Sequence, residues 1–106
     1  MSVEYAHDGI VEFIDEVADL LFRTVVIERS GARMHQHVHD YDHATVCGSG
    51  RAILYVDGTI TRIVEAGEVV LVKANKEHYF EALAPKTRLI CVHDPASAES
   101  IRKKGL

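Results

Sequence analysis

Long apolar runs are missing from this 106-residue chain. Nothing in it approaches the ~20 consecutive apolar residues that span a bilayer as a helix, so no membrane segment is expected. Positive charge is in short supply: 12 Lys and Arg stand against 16 Asp and Glu, a formal net charge of −4. Aromatics are few, three Phe and four Tyr. With no basic stripe and so few stacking side chains, nucleic-acid binding is not expected. Cysteine is limited to Cys47 and Cys91, which imply no disulfide scaffold and read as reduced core residues. The N-terminus, with Glu4, His7 and Asp8, lacks the basic region and apolar stretch of a signal peptide. A cytoplasmic location is therefore the expectation.

What remains is an ordinary globular balance, 47% apolar and 26% charged. The length suits one domain with a single core, 1–106, with no linker, low-complexity tract or repeat inside it. From position 50 onward short strands alternate with turn signals. Ala52 to Val56 and Thr59 to Val64 flank Asp57-Gly58, a strong two-residue hairpin signal. Val69 to Val72 is nearly continuous apolar, as for a strand covered on both faces. His78 to Leu83 and Thr87 to Val92 follow. Upstream, Phe22 to Glu28 reads as a strand, whereas residues 10–20 fit either an amphipathic helix or a short strand with an irregular turn. Asp94 as N-cap and Pro95 at the first helical position predict a short C-terminal helix within 94–106. Many short strands at this spacing argue an all-β sandwich or barrel.

The most informative feature is histidine. His37, His39 and His43 fall within seven residues, and His78 follows after the β-patterned stretch. Imidazole is the commonest metal ligand and suits borderline transition metals. On an extended strand His37 and His39 leave one face together. A helix over 35–43 would instead pair His39 with His43, but the alternation of His35, His37 and His39 and the β-rich sequence downstream favour the strand. Asp40-Tyr41-Asp42 then turns the chain and presents His43 again, and a separate strand brings in His78.

Spacing ties these residues to a family. Gly31, five residues, His37-Val38-His39, three residues, His43, six residues and Gly50 match the first motif of the cupins, with His43 where that motif has Glu. Gly67, five residues, Lys73-Ala74-Asn75, two residues, His78, three residues and Ala82 keep the glycine and histidine spacing of the second motif and lack its Pro, second Gly and Asn. The chain therefore resembles the cupins over about residues 31–93, and more narrowly short single-domain cupins with four histidines. The resemblance implies an all-β, single-domain jelly-roll barrel of the double-stranded β-helix type, with a short C-terminal helix. It maps the ligands of one divalent transition metal per chain (Fe, Mn, Ni, Zn or Cu) to His37, His39, His43 and His78. A set of three would leave His43 loose. With no carboxylate in the set, a divalent ion keeps its full charge and favours an anionic ligand.

Around such a site, His93 is a candidate acid/base group, two residues after Cys91 on the last strand. Phe80 shares strand parity with His78 and is a candidate pocket wall. Tyr55 and Arg51 are candidate pocket residues, Arg51 for an acidic substrate. Asp40 and Asp42 are candidate partners for ligand imidazoles. The expected function is a metal-dependent enzyme acting on a small-molecule, anionic substrate, foremost a dioxygenase-like oxidoreductase. The alternatives are an isomerase or lyase, and a metal-bearing binding module without turnover. A general base in the lumen favours isomerase or lyase chemistry. A homodimer is expected too, since Val11 to Phe22 is more apolar than a solvated segment should be.

Overall fold

A computed structural model describes residues 2–7, 9–34 and 38–104. Nine strands and one helix follow in order: β1 (Ser2–His7), β2 (Ile10–Val17), β3 (Leu20–Ile27), β4 (His43–Ser49), β5 (Arg51–Val56), β6 (Thr59–Glu65), β7 (Val69–Val72), β8 (His78–Ala82), β9 (Thr87–His93) and α1 (Pro95–Lys104). They form a six-stranded sheet, β1-β2-β3-β9-β4-β7, and a three-stranded sheet, β6-β5-β8. Neighbouring strands in both sheets run antiparallel. This is the all-β jelly-roll with a short terminal helix that the motifs imply. Among the described residues no helix is long and apolar enough to cross a membrane.

Local chemistry explains most of the elements. Asp57 and Gly58 both take positive φ, 50° and 77°, as the tight turn between β5 and β6 requires. Gly50 (φ 76°) turns β4 into β5 against Thr87, where an added Cβ would run into both the side chain and the backbone of that residue. Asp94 caps α1, its Oδ1 accepting from the Ser97 N–H at 2.7 Å.

Of the two readings open for residues 10–20, the strand holds and the helix does not: β1, β2 and β3 follow one another at the front of the chain. β2 and β3 pair along their length, from Ile10↔Ile27 to Val17↔Leu20. Their turn, Ala18 and Asp19 with φ of 51° and 65°, carries only a weak signal, a single aspartate with no glycine, asparagine or proline beside it. β7 also departs from expectation. Val70 and Val72 are buried, but Val69 and Leu71 are each 54% exposed, so its outer face is uncovered.

The period of two sets the core. Inward rows from β3 (Val25, Ile27), β4 (Cys47), β5 (Ala52, Leu54), β8 (Phe80, Ala82) and β9 (Leu89) meet between the sheets. Towards one end of the barrel the same rows turn polar. β4 begins its inward row with His43, β8 begins its with His78, and β9 ends its with His93. One sequence alternation thus packs the middle of the barrel and places imidazoles at its end. There a second small cluster forms, in which Leu21 and Ala98 of α1 pack with Ile14 and Tyr41.

Candidate metal centre

His39, His43 and His78 converge at this end, their ligand nitrogens all within 4.8 Å of one another. Ring centroids are 5.3 to 5.8 Å apart across the three pairs. Ligands ~2.1 Å from one shared ion stand ~3.4 Å apart in a tetrahedral set, so side-chain rotations of about an ångström close the group. His43 is one of this trio, at the start of β4 and 5% exposed, and is not loose. His35 and His37 lie outside the described residues.

The delivery of each imidazole is specific. His39 sits in a loop before β4, not on a strand. Two bonds tie that loop to the turn before β8: the Asn75 N–H donates to the His39 carbonyl at 2.7 Å, and the Ala74 N–H donates to Asp42 Oδ1 at 2.7 Å. Asp42 thereby clamps the loops together, and among the described residues no hydrogen bond joins it to an imidazole. Asn75 takes φ 62° where the second motif has glycine, and asparagine is among the residues that adopt this conformation most readily. The departure from the motif keeps the turn that starts His78 on β8.

Hydrogen bonding fixes two tautomers. His43 Nδ1 is 3.3 Å from the Ala44 carbonyl, and His78 Nδ1 is 3.3 Å from the Lys76 carbonyl. A carbonyl only accepts, so Nδ1 carries the proton in both contacts and Nε2 keeps its lone pair. His43 Nε2 is buried and has no hydrogen-bond partner among the described residues. A buried imidazole nitrogen with its lone pair free is a metal-ligand arrangement. His39 Nδ1 meets the Tyr41 hydroxyl at 3.3 Å, with the two rings stacked at 5.0 Å.

Electrostatics keep the cluster neutral. Burial, then neighbouring His43 and His78, lower His39 to about 4. Burial lowers His43 to about 4, and burial also lowers His78. Metal binding needs this neutral form. Burial raises Tyr41 to about 12, so its hydroxyl stays protonated beside His39.

His93 closes the group. Its ring is 4.8 Å from that of His43 and 6.3 Å from that of His39. It is 2% exposed, its Nδ1 has no partner among the described residues, and burial followed by His43 and His39 lowers it to about 3. Phe80 is the next inward residue after His78 and is 1% exposed in the core behind it.

Two candidate pocket residues are placed elsewhere. Tyr55 has the opposite parity to buried Leu54; it stacks on Tyr79 at 4.6 Å, with the Arg33 guanidinium 5.4 Å from both rings. Arg51 pairs with Glu65 at 2.9 Å with both side chains at least half exposed. The pleat sends both away from the lumen, because only even-numbered residues of β5 face in.

Other groups near the site are not among the sequence candidates. Arg23 and Glu12 form a largely buried ion pair in the inward rows of β3 and β2. Thr45 Oγ1 contacts Cys91 Sγ at 3.4 Å in the adjacent strands. The signal for Arg23 is visible in retrospect, as one charge in the alternating apolar row Leu21, Val25, Ile27. Cys47 and Cys91 are buried free thiols.

A family model for the cupin domain, Cupin_2, matches residues 24–93. This chain is a cupin. Solved structures agree in fold. This cupin is similar to KdgF from Halomonas sp., with 22% identity over 88% of this chain and 86% of that one and a TM-score of 0.73. An RmlC-like cupin from Shewanella frigidimarina is 19% identical over 94% and 89%, with a TM-score of 0.72. A mutant of the oxalate decarboxylase OxdC from Bacillus subtilis is 21% identical over 87% of this chain and 27% of that one, with a TM-score of 0.74. Comparison with curated proteins gives no match.

The neutral imidazoles predict an acid-sensitive metal-free state. In the unfolded chain they take up protons below about 6.5, but folded His39 and His43 resist until about 4. Their contribution to stability is complete above 6.5 and is lost as the pH falls towards 4. Each is worth on the order of 1 kcal/mol at about pH 5, after allowing for solvent screening. Melting in chelator should therefore drop by several degrees between about pH 7 and about pH 5. A flat profile would show that these imidazoles are not buried as described.

Proposed function

We propose that this cupin is a metal-dependent enzyme acting on a small molecule, with His39, His43 and His78 as ligands and His37 completing the set that its motif implies. The observation that carries the reading is the convergence of three imidazoles, together with a buried His43 Nε2 that has no hydrogen-bond partner among the described residues. A divalent transition metal held there would supply Lewis acidity and coordination positions open to a chelating substrate. The chain's own residues hold the imidazoles neutral, so charge at the site favours a small anion such as an enolate or carboxylate. His43 and His78 are oriented through Nδ1 by carbonyls, and His39 by the Tyr41 hydroxyl. Phe80 and the cluster of Leu21, Ala98, Ile14 and Tyr41 keep water from the inner side.

Two reaction classes divide on His93. The ligand chemistry suits a dioxygenase-like oxidoreductase. His93 beside the cluster is a group that can hold or move a proton at Nδ1, which favours an isomerase or lyase. Protein loaded anaerobically with Fe(II) separates them when challenged with diketones, flavonols and small thiols. Oxygen uptake that depends on substrate supports the oxidoreductase. Turnover without oxygen, with deuterium from the solvent entering product, supports the isomerase or lyase. Neither, with a small anion still bound, overturns the enzyme reading in favour of a binding module.

A further inference from the structure

Tyr41 stands among the imidazoles without being one of the three that converge. Its ring stacks on His39 at 5.0 Å and lies 5.6 Å from that of His93 and 6.3 Å from that of His43. It also packs with Leu21, Ile14 and, on α1, Ala98. The backbone is tied down on both sides of it, at the His39 carbonyl by the Asn75 N–H and at the Asp42 carboxylate by the Ala74 N–H. The phenol is therefore held in place before any ligand arrives.

Proton count decides what its hydroxyl does. A neutral imidazole carries one N–H. Without metal, the hydroxyl and His39 Nδ1, 3.3 Å apart, share a hydrogen bond that runs in either direction. A metal on His39 Nε2 leaves the ring proton on Nδ1. Nδ1–H then donates to the Tyr41 oxygen, and the hydroxyl proton is free to serve another acceptor. Burial raises the phenol to about 12, so it meets that acceptor as a donor and not as an anion.

The geometry points to Tyr41 as a ligand-binding residue: with metal in place, its hydroxyl donates to a small carboxylate that holds the same ion through its other oxygen. The inference rests on the metal reading of this site and adds the ligand class to it. The three converging imidazoles are neutral, so the charge of the ion draws anions of every kind. Tyr41 then selects among them. A carboxylate has a second oxygen for the phenol, and a hydrogen bond to an ionised acceptor is about twice as strong as a neutral one. A halide on the metal has no second acceptor and gains nothing. A donor already fixed by packing needs little rearrangement to act. Arg51, the sequence candidate for an acidic substrate, is paired with Glu65 outside the barrel and leaves this part to Tyr41.

Cobalt(II)-loaded protein, titrated with acetate and with chloride and followed by visible absorption, tests the inference. Wild type should bind both anions. Tyr41→Phe keeps the ring and removes the hydroxyl. At saturating cobalt it should weaken acetate at least about tenfold and leave chloride unchanged. Reading both anions on the filled site separates this effect from any loss of metal affinity at His39. 3-Fluorotyrosine at position 41, a stronger donor of nearly the same shape, should tighten acetate and leave chloride unchanged. That substitution decides the matter even if Tyr41→Phe does not fold. An equal loss of acetate and chloride overturns the inference and reduces Tyr41 to a support for His39. Acetate binding that is absent from the cobalt-loaded wild type, or unchanged in both variants, overturns it and leaves the metal reading intact. A wild-type chain that takes up no cobalt overturns the metal reading and this inference with it.

Discussion

Replacing His39 and His78 together by alanine is expected to take bound divalent metal from about one ion per chain to nearly none. The two side chains reach the cluster from different directions, His39 from the loop before β4 and His78 from the start of β8. Removing both leaves His43 with too few neighbours for a stable shell. Metal that binds only the folded chain stabilises it by RT ln(1 + [L]/Kd), about 2.7 kcal/mol at a hundredfold excess over Kd. In a chain of this size that is a shift of roughly 10 °C or more. Wild-type protein should therefore lose that much on chelation. The double variant should melt at one temperature with and without chelator. Unchanged metal in the variant, by elemental analysis, would refute the ligand assignment.

His93→Ala is expected to divide metal binding from turnover. His93 contacts His43 but is not one of the three whose nitrogens meet, so metal content should stay at the wild-type level. If His93 moves a substrate proton, turnover of the best substrate from the panel should fall by about 10²- to 10⁴-fold. KM should change little, because a proton carrier acts mainly at the transition state. Full turnover in this variant would reduce His93 to packing and return the balance to the dioxygenase-like reading. Loss of metal would make it a ligand.

Much of the architecture can be read from the chain because local signals and tertiary demands agree. Asp57-Gly58 supplies the positive φ that its turn needs, and Asp94-Pro95 supplies a cap and a helical φ. The β2–β3 hairpin is ambiguous in sequence for a definite reason. Both faces of these strands carry apolar residues, so Ile10, Ile14, Val17 and Leu21 also fit a helical period. The Ala18-Asp19 turn then reaches positive φ without glycine or asparagine. β7 reads as buried on both sides because Val69-Val70-Leu71-Val72 does not alternate, yet it is the edge of its sheet.

The site is legible as a set of residue types and only partly as geometry. Motif spacing singles out His39, His43 and His78. It puts His39 on a strand, whereas the loop holding it is set by long-range bonds to Ala74 and Asn75, which no local pattern announces. Proximity in sequence misplaces Tyr55 and Arg51. The parity of β5, readable from Ala52 and Leu54, sends them outward. Tyr41 is easily passed over because it lies between two turn-forming aspartates. Its contact with His39 gives it a part in holding that ring.

X-ray absorption at the metal edge of the zinc-loaded protein tests the central claim most directly. The expected result is three or four imidazole nitrogens at ~2.0–2.1 Å, with no sulfur at ~2.3 Å, and a clear loss of imidazole scattering in His39→Ala. A shell of carboxylate and water oxygens, unchanged by that substitution, would contradict it.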